Sequence, residues 1–210
     1  MTKEECRFSV IMAVYEKARE LEESLPDFLT QAYEPGYEVI VVDESSTDDT
    51  EDVLKLFKQE HPQLYTTFLP KPNLNITRRR LALSIGVKAA KNEWIIFTDI
   101  NAKPTSSEWL KELAEFINGS SEVILGYFRK KGTKLQIFDE VWEANRQIRK
   151  AERKRADGHE GKRLKYLRGK YDFIVVRRDH AHDLLKFFEQ EISLRRLLGL
   201  RLSIMCHNLC

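Results

Sequence analysis

The chain has 210 residues, 42% of them apolar and 32% charged, and its net charge at neutral pH is +2. That is enough chain for one domain with a sizeable core, and the balance excludes wholesale disorder. No apolar run is long enough to span a membrane. The first residues, Met-Thr-Lys-Glu-Glu-Cys-Arg, are too polar to read as a secretory signal. Cys6, Cys206 and Cys210 lack disulfide spacing and fit a reducing, cytoplasmic compartment.

Residues 8–15 form a short apolar run rich in β-branched side chains, which predicts a buried strand. Glu16-Lys17 ends it, and a helix is expected over about 18–32, with Leu21, Leu25, Phe28 and Leu29 on one face and a kink at Pro26. Pro35-Gly36 marks a turn, and residues 37–42 predict a second buried strand that stops at Asp43. The run from Glu44 to Glu51 then reads as a helix start, with Ser and Thr to cap it and acids in the first turn. That helix carries Val53, Leu54 and Phe57 and ends near His61-Pro62.

A weaker strand is expected over 64–69 and a helix over about 76–91. That helix has Arg78, Arg79 and Arg80 in its first turn, where positive charge opposes the helix dipole. Such a broken local rule is expected at functional sites, although a solvated basic turn explains it equally well. Residues 94–97 have the composition of a fully buried strand, which stops at Asp99. Pro104 forbids the ladder from continuing, and Thr105-x-x-Glu108 predicts a capping box before the helix of Trp109, Leu110 and Leu113. A fifth strand is expected over 122–128 and a last one over 171–176.

Alternating strands and helices imply an α/β fold, a mostly parallel central sheet with helices on both faces and ligands at the carboxyl ends of the strands. Asp43, Asp99 and the Tyr15-Glu16 pair all fall at such ends. With the arginine cluster they suit a polyanion held through a divalent metal: carboxylates take the ion, the ion takes phosphate oxygens, and arginine takes what remains. Neither Gly-x-Gly-x-x-Gly nor Gly-x-x-x-x-Gly-Lys-Ser/Thr is present.

Residues 8–15, 37–50 and Trp94-Ile-Ile-Phe-Thr-Asp-Ile-Asn-Ala-Lys-Pro with Trp109-Leu110 together resemble the family 2 glycosyltransferases, in order and spacing over residues 8–127. The resemblance implies a Rossmann-like GT-A fold and an inverting transfer of sugar from a nucleotide-diphosphate donor, a UDP-sugar first, to a saccharide or lipid-linked acceptor. It implies that Val14, Tyr15, Asp43, Arg79, Arg80 and Asp99 bind the nucleotide, with Asp43 accepting a hydrogen bond from the base. The family's Asp-x-Asp metal motif falls on Asp99-Ile100-Asn101, so Asp99 and Asn101 would hold Mg²⁺ or Mn²⁺, weakly until a nucleotide supplies further oxygens. Asn101 replaces the second carboxylate, Glu44 a common Asp, and Ala13 and Glu16 the usual Pro and Asn. The family also places a catalytic acid late in the domain. Here Glu191 and then Glu189 are the acids in a comparable place, although they lack the family's usual acidic signature.

The boundary between a nucleotide-sugar half, 1–128, and a helical, basic acceptor half, 129–210, is drawn where the resemblance fades. A long helix is expected over 135–156 and a loop over 157–161. The basic run from Arg146 to Arg168 reads first as a solvated face and second as a patch for an anionic partner, with nucleic acid the less favoured one. Leucines among Arg195, Arg196 and Arg201 fit a final helix packed on the body or a basic amphipathic helix in peripheral contact with the inner membrane face. Residues 206–210 are expected to be a loose tail. Two other functions compete with transfer: a nucleotide-sugar-binding domain that no longer transfers, and a basic nucleic-acid-binding module.

Overall fold

Every residue of β1 (Phe8–Val14) is buried, as a central parallel strand covered on both faces requires. It pairs in parallel with β2 (Tyr37–Asp43), in register from Phe8↔Tyr37 to Val14↔Asp43. On its other side it pairs in parallel with β4 (Trp94–Thr98). β3 (Leu64–Phe68) lies outside β2, also in parallel. β6 (Phe173–Arg177) enters antiparallel between β4 and β5 (Val123–Phe128), and β7 (Leu202–His207) runs parallel to β5 at the far edge. The order is β3-β2-β1-β4-β6-β5-β7. This computed structural model describes residues 6–69, 78–117, 123–128, 172–185 and 202–207. The helix expected over 135–156, the loop at 157–161, the basic run from Arg146 to Arg168, Glu189, Glu191, Arg195, Arg196 and Arg201 lie outside those residues.

Side chains alternate across the sheet and divide the core in two. Val10, Met12 and Val14 of β1 meet Leu21, Leu25 and Phe28 of α1 (Ala18–Leu29), Val53 and Leu54 of α2 (Thr50–Glu60), and Trp109, Leu110 and Leu113 of α4 (Trp109–Phe116). Ile11 and Ala13 face Ala82, Leu83 and Val87 of α3 (Arg78–Ala89) and Ala181 and Leu185 of α5 (Arg178–Leu185). Helices therefore lie on both faces, as expected. Among the described residues, no helix is long and apolar enough to cross a membrane.

Four local expectations are corrected. α1 ends at Leu29 rather than near residue 32. Pro26 has no N–H to give to the preceding turn, and the Thr30 N–H and hydroxyl both close on the Pro26 carbonyl at 3.0 and 2.9 Å. The capping box at Thr105 does not form: the Glu108 N–H donates to Ser106 Oγ at 3.0 Å, and the buried Thr105 hydroxyl has no partner among the described residues. The entry of α4 is held from α1's end, where buried Gln31 accepts from the Leu110 N–H at 3.3 Å and donates to the Ser106 carbonyl at 3.0 Å.

The remaining two corrections concern the ends of elements expected as helix. The run of Ser and Thr before α2 provides no side-chain cap for it, because those groups are spent elsewhere. Residues 202–207 are neither helix nor loose tail but strand β7, in register with β5 from Val123↔Leu202 to Phe128↔His207. Without β7, the outer side of β5 would present a row of unpaired backbone groups.

β5, β6 and α4 meet in an aromatic knot. Phe173 stands 5.2 Å from Trp109 and 4.8 Å from Phe128, centroid to centroid, and Phe128 stands 5.2 Å from Trp109. Gly126 lies under the Phe173 ring so closely that a Cβ there would fall inside it. Gly126→Ala must push a ring that two other aromatics hold in place, so it should cost about 1–3 kcal/mol, the usual range for overpacking. Urea denaturation should show a lower midpoint with an unchanged slope.

Candidate functional site

The carboxyl ends of β1, β2 and β4 lie side by side, and the polar residues that follow them form one surface. After β1 the chain continues through Tyr15, 44% exposed, into Glu16, whose φ of 50° is left-handed. After β2 it continues through Glu44 into Ser45, also left-handed at φ 65°. Such a conformation in a non-glycine residue costs on the order of 1–3 kcal/mol and persists only where its surroundings hold it. Here they do. The Glu44 N–H donates to the Val14 carbonyl at 2.8 Å, and the Ser45 hydroxyl donates to the Leu69 carbonyl. The Glu16 N–H donates to Ser46 Oγ at 2.8 Å, and the Thr47 hydroxyl donates to the Glu16 carboxylate at 3.1 Å.

Asp43, the last residue of β2, is buried at 7% exposure. Its Oδ1 accepts from both the N–H and the hydroxyl of Ser46, at 2.9 and 2.6 Å. Its Oδ2 has no partner among the described residues, so the carboxylate is oriented on one side and open on the other. The rest of the 44–50 loop serves the start of α1 as well as that of α2, where Asp48 Oδ1 accepts from the Thr50 N–H at 3.2 Å. Asp48 Oδ2 accepts from the Ala18 N–H at 3.2 Å, and buried Thr50 accepts from the Lys17 N–H at 3.0 Å.

The first turn of α3 supplies the cations. The Arg78 guanidinium sits 5.5 Å from the Tyr15 ring centroid and donates to the Glu44 carbonyl, which ties the ends of β1 and β2 together. Its Nε is buried without a partner among the described residues. Arg79 pairs with Asp99, Nη2 to Oδ2 at 3.0 Å. Arg80 follows on the same turn, and its carbonyl accepts from Ser84 at 2.9 Å. Burial pushes the Glu44 carboxyl above its ordinary value, against the pull of Arg79 and Arg78 and with the help of Asp43.

Asp99 follows β4 directly. Its Oδ1 accepts from the Asn101 N–H at 3.1 Å and from the Asn101 side-chain amide at 2.8 Å, while the Ala102 N–H closes the turn on the Asp99 carbonyl at 2.9 Å. Burial raises the Asp99 carboxyl, but Asn101 and Arg79 outweigh it and hold the group below the usual carboxylate range. Lys103 is turned away, paired with Asp27 of α1 at 3.3 Å.

This donor set does not fit a divalent cation. Both Asp99 oxygens are engaged, and Asn101 presents amide hydrogens where a ligand oxygen is needed. No group of three or more His, Cys, Asp and Glu side chains able to hold a metal is found among the described residues.

Of the residues expected to bind a nucleotide, Val14, Tyr15, Asp43 and Asp99 fall at these strand ends, Arg79 reaches Asp99 and Arg80 follows it on α3, whereas Glu189 and Glu191 lie outside the described residues. From sequence, Arg78 stood only as one of the arginine triplet, outside the nucleotide-binding set, and the Ser46 contact to Asp43 was missed. An Asp-x-x-Ser spacing that lets Ser46 reach back to Asp43 was available as a signal. Nothing in the arginine triplet says which member stacks on Tyr15.

A sheet in this order, with one antiparallel strand inserted and a polar edge at the carboxyl ends, defines a GT-A type α/β fold. The profile of the family described as Glycosyl transferase family 2 matches residues 9–182, and the chain belongs to that family. No curated protein matches it by sequence. Among solved structures it resembles the mannosyltransferase PcManGT from Pyrobaculum calidifontis in complex with GDP-Man and Mn²⁺, at 18% identity and a TM-score of 0.67 over 96% of this chain and 56% of that one. It also resembles S. aureus TarS 1-349 in complex with UDP-GlcNAc, at 18% identity and a TM-score of 0.61 over 97% of this chain and 59% of that one. A third likeness is to glucosyl-3-phosphoglycerate synthase from Mycobacterium tuberculosis with Mn²⁺, UDP and phosphoglyceric acid, at 15% identity and a TM-score of 0.55 over 96% of this chain and 68% of that one. The chain thus spans little more than half of the first two.

The Asp99 geometry has a measurable consequence. In Arg79→Gln the cation is gone while burial persists, so the Asp99 carboxyl should titrate at a higher pH than in the parent. Because its folded value is depressed, the parent pair adds stability above the unfolded carboxylate value and loses it as pH falls through the folded one. Carboxyl carbon-13 NMR titrations of the two proteins check this, and coincident curves would show that Arg79 does not hold the charge.

Proposed function

We propose that the chain is a glycosyltransferase domain that takes a nucleotide-diphosphate sugar, a UDP-sugar first among them, and transfers the sugar with inversion to a saccharide or lipid-linked acceptor. The observation that carries the reading is Asp43, fixed by Ser46 through one oxygen and open through the other, beside exposed Tyr15. A carboxylate held this way can accept an N–H of a pyrimidine or guanine base in a fixed orientation. Tyr15 offers an apolar ring next to it, and the first turn of α3 offers charge for the diphosphate. Residues 1–128 then form the donor half and 129–210 the acceptor half of one domain.

In the transfer, the acceptor hydroxyl oxygen bonds to the anomeric carbon as the bond from that carbon to the diphosphate breaks. The bonding pair leaves with the nucleoside diphosphate, and the hydroxyl proton passes to a carboxylate. Glu191, and after it Glu189, is proposed as that base. Two of the similar structures hold Mn²⁺ together with a nucleotide, whereas the donor set around Asp99 argues against a metal-assisted departure in this chain. The Asn101 bond to Asp99 also favours a second reading, a domain that binds the donor without transferring it.

Calorimetry of the full chain against UDP, GDP and TDP tests the binding step. One of them should bind, and Asp43→Ala should weaken it roughly 10- to 100-fold, since a hydrogen bond to a charged group is worth about 1.5–3 kcal/mol. The circular dichroism spectrum should not change. Equal affinity in the variant removes Asp43 from the site. Release of nucleoside diphosphate from a panel of nucleotide sugars, with and without acceptor saccharides, separates transfer from binding alone.

A further inference from the structure

We infer that this chain neutralises its diphosphate with the Arg79 guanidinium in the position where a divalent cation would sit, so that nucleotide binding does not require a metal. The inference rests on the reading of this strand edge as a nucleoside-diphosphate site and states how that site supplies its charge.

Three side chains form a relay at the end of β4. Asn101 donates twice to Asp99 Oδ1, at 3.1 and 2.8 Å, and so fixes the carboxylate plane. Asp99 Oδ2 then accepts from Arg79 Nη2 at 3.0 Å and fixes the guanidinium. A guanidinium carries five N–H donors in a planar fork, so one donated to Asp99 leaves others for phosphate oxygens. Arg79 is half exposed, with its side chain 50% accessible, and so can reach a ligand at the sheet edge. A cation entering here would have to displace Arg79 from Oδ2 and Asn101 from Oδ1, and would then face the displaced guanidinium as a like charge.

Charge balance favours the same arrangement. A divalent ion on two carboxylates sums to zero, and so does a guanidinium on one carboxylate beside a neutral amide. The Asn at 101 and the Arg at 79 are matched to each other. An aspartate at 101 would leave an uncompensated negative charge where the diphosphate must bind. The bland alternative, an exposed ion pair of little consequence, is common on protein surfaces. It does not account for the two Asn101 bonds. Nor does it account for a cation placed in the first turn of α3, which carries no acid of its own to offset the opposition to the helix dipole.

The test compares the full chain in EDTA and in Mn²⁺, with UDP and GDP as calorimetric probes and electron paramagnetic resonance as a direct count of bound Mn²⁺. The expected result is an affinity within about 3-fold in the two buffers and no Mn²⁺ bound with or without UDP. Arg79→Gln should weaken nucleotide binding about 10-fold or more in EDTA, since it removes a charge-assisted contact, and Arg79→Lys should recover part of the loss. Arg79→Gln with Asn101→Asp should bind Mn²⁺ in the presence of UDP. Nucleotide binding lost in EDTA and restored by Mn²⁺, or Mn²⁺ bound by the parent protein, overturns this inference and leaves the nucleotide site standing. Failure of both nucleotides to bind in either buffer overturns that site and this inference together.

Discussion

Ser46, Asp48 and Thr50 accept hydrogen bonds from the backbone N–H groups of residues 16–18 and so join the end of β1 to the end of β2, and the polar edge of the sheet depends on them. β1 is buried on both faces, so its backbone can leave the sheet only where polar partners are waiting. The loop after β2 supplies them. It turns Glu16 and Ser45 into left-handed conformations and at the same time satisfies the first N–H groups of α1. The strain at two residues and the capping of a helix are therefore one structural event. Asp43 is placed by the same loop through Ser46, so a change at Thr50 or Asp48 would reach the candidate site although neither residue bonds to Asp43.

Much of this was legible in the residues because buried parallel strands leave a clear trace. Uninterrupted apolar runs, two of them ending in Asp43 and Asp99, located β1, β2 and β4 and the polar ends of those strands within a residue or two. The capping signals misled for a physical reason. Ser, Thr and Asp side chains satisfy whichever backbone N–H is near in space, and the Thr50 hydroxyl takes the Lys17 N–H at the start of α1, 33 positions back. The buried Gln31 entering α4 makes the same point across 79 positions. β7 was illegible because the leucines and arginines before it suggested helical spacing, while the need it meets, covering the outer side of β5, is visible only once the sheet is assembled.

The candidate site was legible as a cluster of residues at the strand ends but not as a set of contacts. Asp99 and Asn101 suggest a weakened metal pair when taken in isolation. Whether an asparagine beside an aspartate acts as an oxygen ligand or as a donor depends on what else needs the aspartate, and that requires knowing where Arg79 falls. An amide can serve either way. The guanidinium on Oδ2 and the turn closed at Ala102 settle the orientation toward donation.

Consecutive residues on a helix point about 100° apart, since a turn takes 3.6 residues. An arginine pair at the start of α3 therefore cannot serve one strand end. Arg78 is carried toward β1 and β2, where it packs on Tyr15 and the Glu44 carbonyl, while Arg79 is carried toward β4 and Asp99. The first contact is partly buried and joins two elements, so its loss should be felt as a loosened pocket. The second is open to solvent and joins a cation to the place where a phosphate would lie. Two adjacent, chemically identical residues thus take up different contacts, one on Tyr15 and the Glu44 carbonyl and one on Asp99, because the helix directs them to different neighbours, and the opposition of both to the helix dipole is the energetic trace of that arrangement.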